Sequence, residues 1–376
     1  MIRIVVLIAA LICSCSSILA QRTGMTYEEA VGRIPERDLP GFWVGEVRGL
    51  PARLESLHEG SARAITVTPG GRPLYLVTYG AKEVVTGTAN FNSAVGGGQL
   101  SAYRDKASRR RPVILLVGPV HGQEVEALTG LVNLINVMET GVDLRGRDQK
   151  RLRDLGSRCR LLIIPSGNPD GTARFEPRSL QGMSVDDLRF WGQGTWRDGT
   201  FCDWPEVKRV HPMVEGKFSF LGCYFNDGGI NPMHDEFFQP MGPEAPAILK
   251  VALEEGPDLA VSLHSHGAKP ALLRPAFVTL DVQKKIRGLA KRYYDLLKKN
   301  RLPSGQIFQA KPEEGNPPPA FNLTSALYQV SGATSFTFEC PHGLSDKGEC
   351  QVSLDQILDV QLLLYTAMME FALDYK

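Results

Sequence analysis

Pro112-Val-Ile-Leu-Leu-Val-Gly-Pro-Val-His-Gly-Gln-Glu-Val-Glu-Ala-Leu-Thr-Gly130 is the stretch on which the fold turns. Val113 to Val117 is an aliphatic run too short for anything but a buried strand. The pattern breaks at Gly118-Pro119 and restarts at Val125, with Leu128, Leu131, Val132 and Ile135 at helical spacing. Between strand and helix stand His121 and Glu124, three residues apart. On a helix's first turn that spacing points both side chains the same way. One imidazole and one carboxylate at the carboxyl end of a sheet strand are two-thirds of a catalytic zinc site. Yet the chain holds 7 histidines and 41 acidic residues, so a His-x-x-acid pair is expected by chance. A polar helix cap above a parallel sheet accounts for this pair equally well. A third ligand, a base and a group for an oxyanion must come from elsewhere.

Three further strands can be read in the chain. Arg160-Leu-Leu-Ile-Ile-Pro-Ser-Gly167 ends in a turn, Asn168-Pro-Asp-Gly171; Pro257-Asp-Leu-Ala-Val-Ser-Leu-His-Ser-His-Gly267 ends in two histidines; Thr334-Ser-Phe-Thr-Phe-Glu-Cys340 ends in an acid. Helices are expected from Pro246 to Glu255, from Val282 to Asn300, and after Ser353, where Gln356 stands in capping-box register. Ala64 to Tyr79 reads as a hairpin around Pro69-Gly-Gly71. Ala89 to Gly98 and Gly315-Asn-Pro-Pro-Pro319 read as loops. Thr172 to Pro243 is long and aperiodic, and such segments inside a domain usually carry function. No linker-like break or internal repeat interrupts the alternation of strands and helices. The expected fold is α/β, one domain with a mixed, largely parallel central sheet flanked by helices. Its active groups belong at the strand ends.

Composition narrows the class. The chain has 376 residues, 43% hydrophobic and 22% charged, with a formal net charge of +1. That balance argues against nucleic-acid or membrane-surface binding by bulk charge. Arg109-Arg110-Arg111 reads as the solvated mouth of the following strand. Residues 1–20 read as an export signal, with Arg3 before an apolar run from Ile4 to Ile12 that is too short to span a bilayer. Ile12-Cys-Ser-Cys15 also resembles a lipobox, which would make Cys15 a lipid anchor. Residues 21–56 form an N-terminal extension with a helical patch at Tyr27-Glu-Glu-Ala30, and 57–376 the main domain. Export permits disulfides, and Cys159, Cys202, Cys223, Cys340 and Cys350 read as structural thiols with room for one bridge.

His121-Gly-Gln-Glu124, Asn168-Pro-Asp-Gly171, His264-Ser-His-Gly267 and Ser335-Phe-Thr-Phe-Glu339 together resemble the zinc carboxypeptidase family of metallopeptidases, in the family's order, from about Leu57 onward. Gly71-Arg72 looks like the family's turn before the first catalytic strand. The resemblance implies one zinc ion on His121, Glu124 and His264. His266 competes with His264, two residues deeper on the same side of a strand, and Glu126 competes weakly with Glu124. Three protein ligands leave a coordination position open. The resemblance also makes Glu339 the general base. It places an oxyanion-stabilising arginine after Asn-Pro-Asp-Gly. Trp196-Arg197 looks most like that site, with Arg174 and Arg189 as competitors.

One departure bears on the substrate. Family carboxypeptidases clamp the substrate carboxylate with the Asn-Arg of an Asp-x-Asn-Arg stretch. Read onto Gly229 to Phe237, that pair becomes Met233-His234; read onto Tyr224-Phe-Asn-Asp227, it also lacks an arginine. A guanidinium clamp is not reproduced by His or Asp, so any carboxylate contact would fall to His234 or to another arginine such as Arg274. Tyr328 is the nearest match to the substrate-capping tyrosine. The expected function is an exported zinc hydrolase of a peptide or amide bond, periplasmic, extracellular or lipid-anchored, with peptidoglycan-derived peptides as a substrate suggested by location. The alternatives are an amidohydrolase of acylated amino acids, like succinylglutamate desuccinylase and aspartoacylase, and a binding module that keeps the fold without catalysis.

Overall fold

The structure, a computed structural model, describes residues 23–311 and 320–375. The expected signal with Cys15 and the loop Gly315-Asn-Pro-Pro-Pro319 lie outside the described residues. Nine strands follow in chain order: β1 (Ser61–Val67), β2 (Pro73–Tyr79), β3 (Val113–Val117), β4 (Arg160–Ile164), β5 (Gly194–Trp196), β6 (Phe218–Leu221), β7 (Leu259–His266), β8 (Ala271–Leu273) and β9 (Thr334–Pro341). The main helices are α1 (Tyr27–Gly32), α2 (Val125–Thr140), α3 (Lys150–Ser157), α4 (Pro169–Arg174), α5 (Glu244–Glu255), α6 (Leu280–Lys299), α7 (Leu323–Ser331) and α8 (Leu354–Asp374).

Seven strands form one sheet in the order β1-β2-β4-β3-β7-β9-β8. Its centre, β4-β3-β7-β9, is parallel, and β1, β2 and β8 are antiparallel additions. Every residue of β3 and β4 is buried, as expected where helices cover both faces. Along β3, Ile114 and Leu116 face one core layer, with α2, α6 and α8. Val113, Leu115 and Val117 face the other, with α5 and α7. After β4 the chain crosses β3 to reach β7, so the loops following β3 and β7 diverge. Open α/β sheets bind ligands in that crevice.

Local signals explain the element ends. Gly141, with φ 85°, stops α2, in the left-handed conformation that glycine adopts without a Cβ penalty. Ser353 and Gln356 form the expected capping box at the start of α8. That helix is apolar and long enough to cross a membrane by length and composition. It packs instead on α2 and α6, and truncating one of its buried leucines, such as Leu364, should cost roughly 2–5 kcal/mol.

Several expectations need correction. Arg109 is buried rather than solvated: it pairs with Asp258 at 2.9 Å and donates to Glu255 O and Gly256 O. All five cysteines of the described chain are free and buried, so none is bridged. Asn168-Pro-Asp-Gly171 is the capped start of α4, not a plain turn. The segment after α4 is irregular but built: a π-helical turn at Arg189–Gln193, the β5–β6 ribbon, and a cluster of Phe175, Phe190, Trp191 and Phe220. Tyr27 joins that cluster from α1, and Phe42, Trp43 and Val44 enter the main core. Residues 23–56 therefore pack as part of the same body.

Candidate active site

His121 and Glu124 meet through a tight turn rather than on the first turn of a helix. Glu124 N donates to His121 O at 3.1 Å, and α2 begins only at Val125, with Glu124 as its N-cap. The turn fits because Gly122 has no side chain: a Cβ there would stand 2.0 Å from the carbonyl carbon of Gly171 in α4. Asn168 ties the same turn down. Fully buried, it donates through Nδ2 to Val120 O and Cys223 O, while its Oδ1 accepts from Gly171 N.

β7 delivers the third group. His121 Nδ1 lies 3.0 Å from Glu124 Oε1, His264 Nδ1 lies 2.9 Å from Glu124 Oε2, and the two Nδ1 atoms are 3.3 Å apart. The ligand atoms of the three buried side chains all lie within 4.8 Å of one another. Buried Glu124 Oε2 has no hydrogen-bond partner beyond the His264 ring nitrogen that faces it. Two ring nitrogens and a carboxylate converging in this way, with no other partner for that oxygen, are what a shared cation would satisfy. His264 Nε2 faces Ser262 Oγ at 3.0 Å. That contact suits the tautomer protonated on Nε2, leaving Nδ1 to the cluster. Burial works to raise Glu124, yet the two imidazoles outweigh it and hold the carboxyl at about 2. These residues fit zinc: two nitrogens, one ionised oxygen, and no fourth protein ligand among the described residues.

The competitors fall away on geometry. His266 turns its Nε2 to Lys269 O at 2.9 Å. Glu126 points into the interior, where His342 Nδ1 meets its Oε1 at 2.9 Å, both side chains fully buried. Glu339 is the register partner of His264 on the adjacent parallel strand. Burial pushes its carboxyl up to about 7; the His264 charge opposes that rise and Glu124 reinforces it. This carboxyl, held beside the cluster and titrating near neutrality, has the properties of a general base.

The proposed arginines are placed elsewhere. Arg174 donates to Leu221 O and pairs with Asp227. Arg189 is spent on Asp203 and Asp186 and lies over the Phe201 ring. Arg197 is exposed on the turn after β5, where its backbone N donates to Lys217 O. β8 runs antiparallel to β9, with Ala271 opposite Glu339 and Leu273 opposite Thr337, so it carries the chain toward Arg274 away from Glu339. Tyr328 packs with Phe91 and Tyr103 in a separate cluster. Thr334, the first residue of β9, follows six positions after Tyr328, at the end of the sheet opposite Glu339. Tyr328 is therefore core rather than a substrate cap.

Other residues take the space over the ligands. Tyr224 stacks on the His121 ring, with centroids 3.9 Å apart and planes 10° from parallel. Burial, then the charges of Glu124 and Glu339, push its phenol far above its usual value, so it stays a neutral donor. Of the two registers considered for the missing Asn-Arg pair, the one running through Tyr224 is the stretch that lies on the ligands. Asp227 then stands where an arginine was sought, and it accepts from Arg72 at 2.9 Å as well as from Arg174. Buried Asp170 binds the same group: it takes Arg72 and Thr68 Oγ1 on Oδ1, and Gly70 N and Asp227 N on Oδ2. His234 half-faces the cluster: burial, then the like charges of Lys208, His121 and His264, push it down to about 2. Lys208 had no signal in the sequence, since no periodicity or motif covers it.

Comparison with known proteins bears on the family and the fold. A family model described as zinc carboxypeptidase matches residues 54–334, ending five positions before Glu339. Among curated proteins, none matches the chain. A metallo-carboxypeptidase from Burkholderia cenocepacia superposes with a TM-score of 0.51 and 13% identity, over 88% of this chain and 69% of that one. A protein assigned as carboxypeptidase A from Shewanella denitrificans gives 0.51 and 16%, over 86% and 68%. At such identities the superpositions speak for the fold alone. The family match, covering well over half of the chain, carries the assignment: this chain belongs to the zinc carboxypeptidase family.

Proposed function

We propose that the chain is an exported zinc-dependent metallopeptidase, metallocarboxypeptidase-like, that hydrolyses a peptide or amide bond with Glu339 as general base. The observation that carries the reading is the pairing of Glu339 with His264 in register, one strand from a His-Glu-His cluster whose buried Glu124 Oε2 has no partner beyond a ring nitrogen. One zinc ion held by His121, Glu124 and His264 would supply Lewis acidity toward a carbonyl oxygen and make water more acidic.

The protein's own groups do the rest. Glu339, when ionised, takes a proton from the attacking water and returns it to the leaving amine. Tyr224 covers one face of His121, shielding that ligand from bulk water and offering a phenol O–H to the substrate. Asn168 and Gly122 keep the ligand turn seated on α4. Arg197, Arg174 and Arg189 have no part in this scheme, and the oxyanion is left to the cation site itself. Export rests on residues 1–20 as a signal, with Cys15 as the anchor point in the lipidated form. Peptidoglycan peptides are a substrate suggested by that location.

The test is zinc-dependent hydrolysis of a mixed peptide library, free and blocked at either end. The expected result is turnover by the zinc-loaded chain, lost with chelator and with Glu339→Gln. Turnover that survives Glu339→Gln would remove the proposed base. No turnover of any member by the zinc-loaded wild type would leave a binding role.

A further inference from the structure

The charges around the site differ in kind from a guanidinium clamp. Asp227 engages Arg72 and Arg174, and Arg189 is held between Asp186 and Asp203. These guanidinium groups are neutralised within the fold. Lys208 is not: among the described residues it has no carboxylate and no side-chain hydrogen-bond partner. Its Nζ rests 3.5 Å from the centroid of the Trp204 ring, and that ring lies 6.2 Å from His234. A cation on an aromatic face is held in place without being neutralised.

Lys208 also lies within electrostatic reach of the site. Its charge lowers the basicity of His234, the ring that also feels His121 and His264. Its own half-buried ammonium is pushed down to about 8 by burial, so it remains largely charged at neutral pH. A cation is partly desolvated here, over Trp204 and near the neutral imidazole of His234, with no anion among the described residues to meet it. Such a group is completed by an anion from outside.

We infer that Lys208 is the substrate-facing cation of this site, and that it takes a carboxylate of the substrate beside His234 and Trp204. An ammonium is a point charge and lacks the fork of a guanidinium. It therefore selects for negative charge more than for a fixed carboxylate orientation. Both a terminal carboxylate and an acidic side chain near the end of a peptide carry that chemistry. The inference rests on the hydrolase reading for calling the ligand a substrate, but the binding can be measured without turnover.

The experiment uses the full chain carrying Glu339→Gln, zinc-loaded, in calorimetric titrations with three N-acetylated dipeptides. One ends in a free carboxylate, one is its neutral C-terminal amide, and one is an amide whose last residue is Glu. The expected result is at least tenfold tighter binding of a carboxylate-bearing dipeptide than of the neutral amide. Adding Lys208→Met should remove that preference, and Lys208→Arg should retain most of it. Whichever carboxylate dipeptide shows the Lys208-dependent preference identifies the source of the carboxylate. An unchanged preference in Lys208→Met, as for a carboxylate held by zinc alone, overturns the inference. So does the absence of any carboxylate preference, or of binding, with Lys208 intact. Lys208-dependent binding by a chain that, with Glu339 restored, hydrolyses none of these peptides sinks the hydrolase reading and leaves this one standing.

Discussion

Two halves of the site face each other, and they are built differently. The half on the sheet, His121, Glu124, Asn168, His264 and Glu339, sits at the ends of strands that are buried along all or nearly all of their length. The half above it, from α4 to His234, is irregular backbone held by ion pairs and aromatic packing. The first keeps a chemistry that needs fixed atoms at fixed spacing. The second is where the arginine expected from the family pattern is replaced by an aspartate and where Lys208 stands with no carboxylate partner among the described residues. Rigid scaffold below and rebuilt loops above is how one fold retains a reaction while its substrate contacts change.

The sharpest break of that contrast is at Glu339. Glu339→Gln should lower turnover by about 10²–10⁴-fold, the usual contribution of a positioned acid-base group, while zinc binding persists. Steady-state kinetics and metal analysis on the same sample read both. Equal loss of metal and activity would mean that Glu339 shapes the cluster rather than the reaction.

The two halves are joined at Asp170, whose buried carboxylate receives Arg72, Thr68, Gly70 N and Asp227 N. Asp170→Ala strands those donors and should cost about 3–5 kcal/mol in urea unfolding. A loss under about 1 kcal/mol would show that the upper half is held by other contacts, since an exposed pair contributes no more than that.

Titration separates the halves next. Without metal, Glu339 should titrate near 7 by NMR, and zinc should move it down, because a nearby cation favours the carboxylate. The folded value lies above the unfolded one, so the folded chain binds the extra proton. Its contribution to stability is present below about pH 4.5 and lost as pH rises through about 7. Metal-free wild type should therefore lose on the order of 3 kcal/mol across that window relative to Glu339→Gln. A flat difference would contradict the burial of this carboxyl.

The smallest effect belongs to Arg197. Exposed beyond β5, it should tolerate Ala with less than about a twofold change in kcat/KM, the range expected of surface positions. A loss of a hundredfold would restore it as the oxyanion group and dissolve the contrast drawn here.

These two halves also divide what was legible from the sequence. The lower half could be read because strand and helix periodicity located each element, and the reactive residues stand where the periodicity stops. The two-residue offset of His264 and His266 on one strand says that one of them serves, the family resemblance favours His264, and Ser353 with Gln356 marks the start of α8. The upper half could not be read in this way. Tyr224 reaches His121 through a backbone path set by Gly192 and Cys223 hydrogen bonds, with no repeat to mark it. Only the family resemblance, which places an arginine somewhere after Asn-Pro-Asp-Gly, points to Arg174, Arg189 and Arg197. Arg174 is claimed by Asp227, 53 residues on, and Arg189 by Asp186 and Asp203, whereas Arg197 stands exposed on the turn after β5. Tyr328 looked like a substrate contact by type, whereas Phe91 and Tyr103, more than two hundred residues away, claim it for packing.

The most direct test of the account is zinc titration of the metal-free chain by calorimetry, with His264→Ala and His266→Ala alongside. The account predicts one zinc per chain, binding weakened at least a hundredfold in His264→Ala and little changed in His266→Ala. Equal binding by wild type and His264→Ala, or none by wild type, would contradict the cluster of His121, Glu124 and His264 as the metal site.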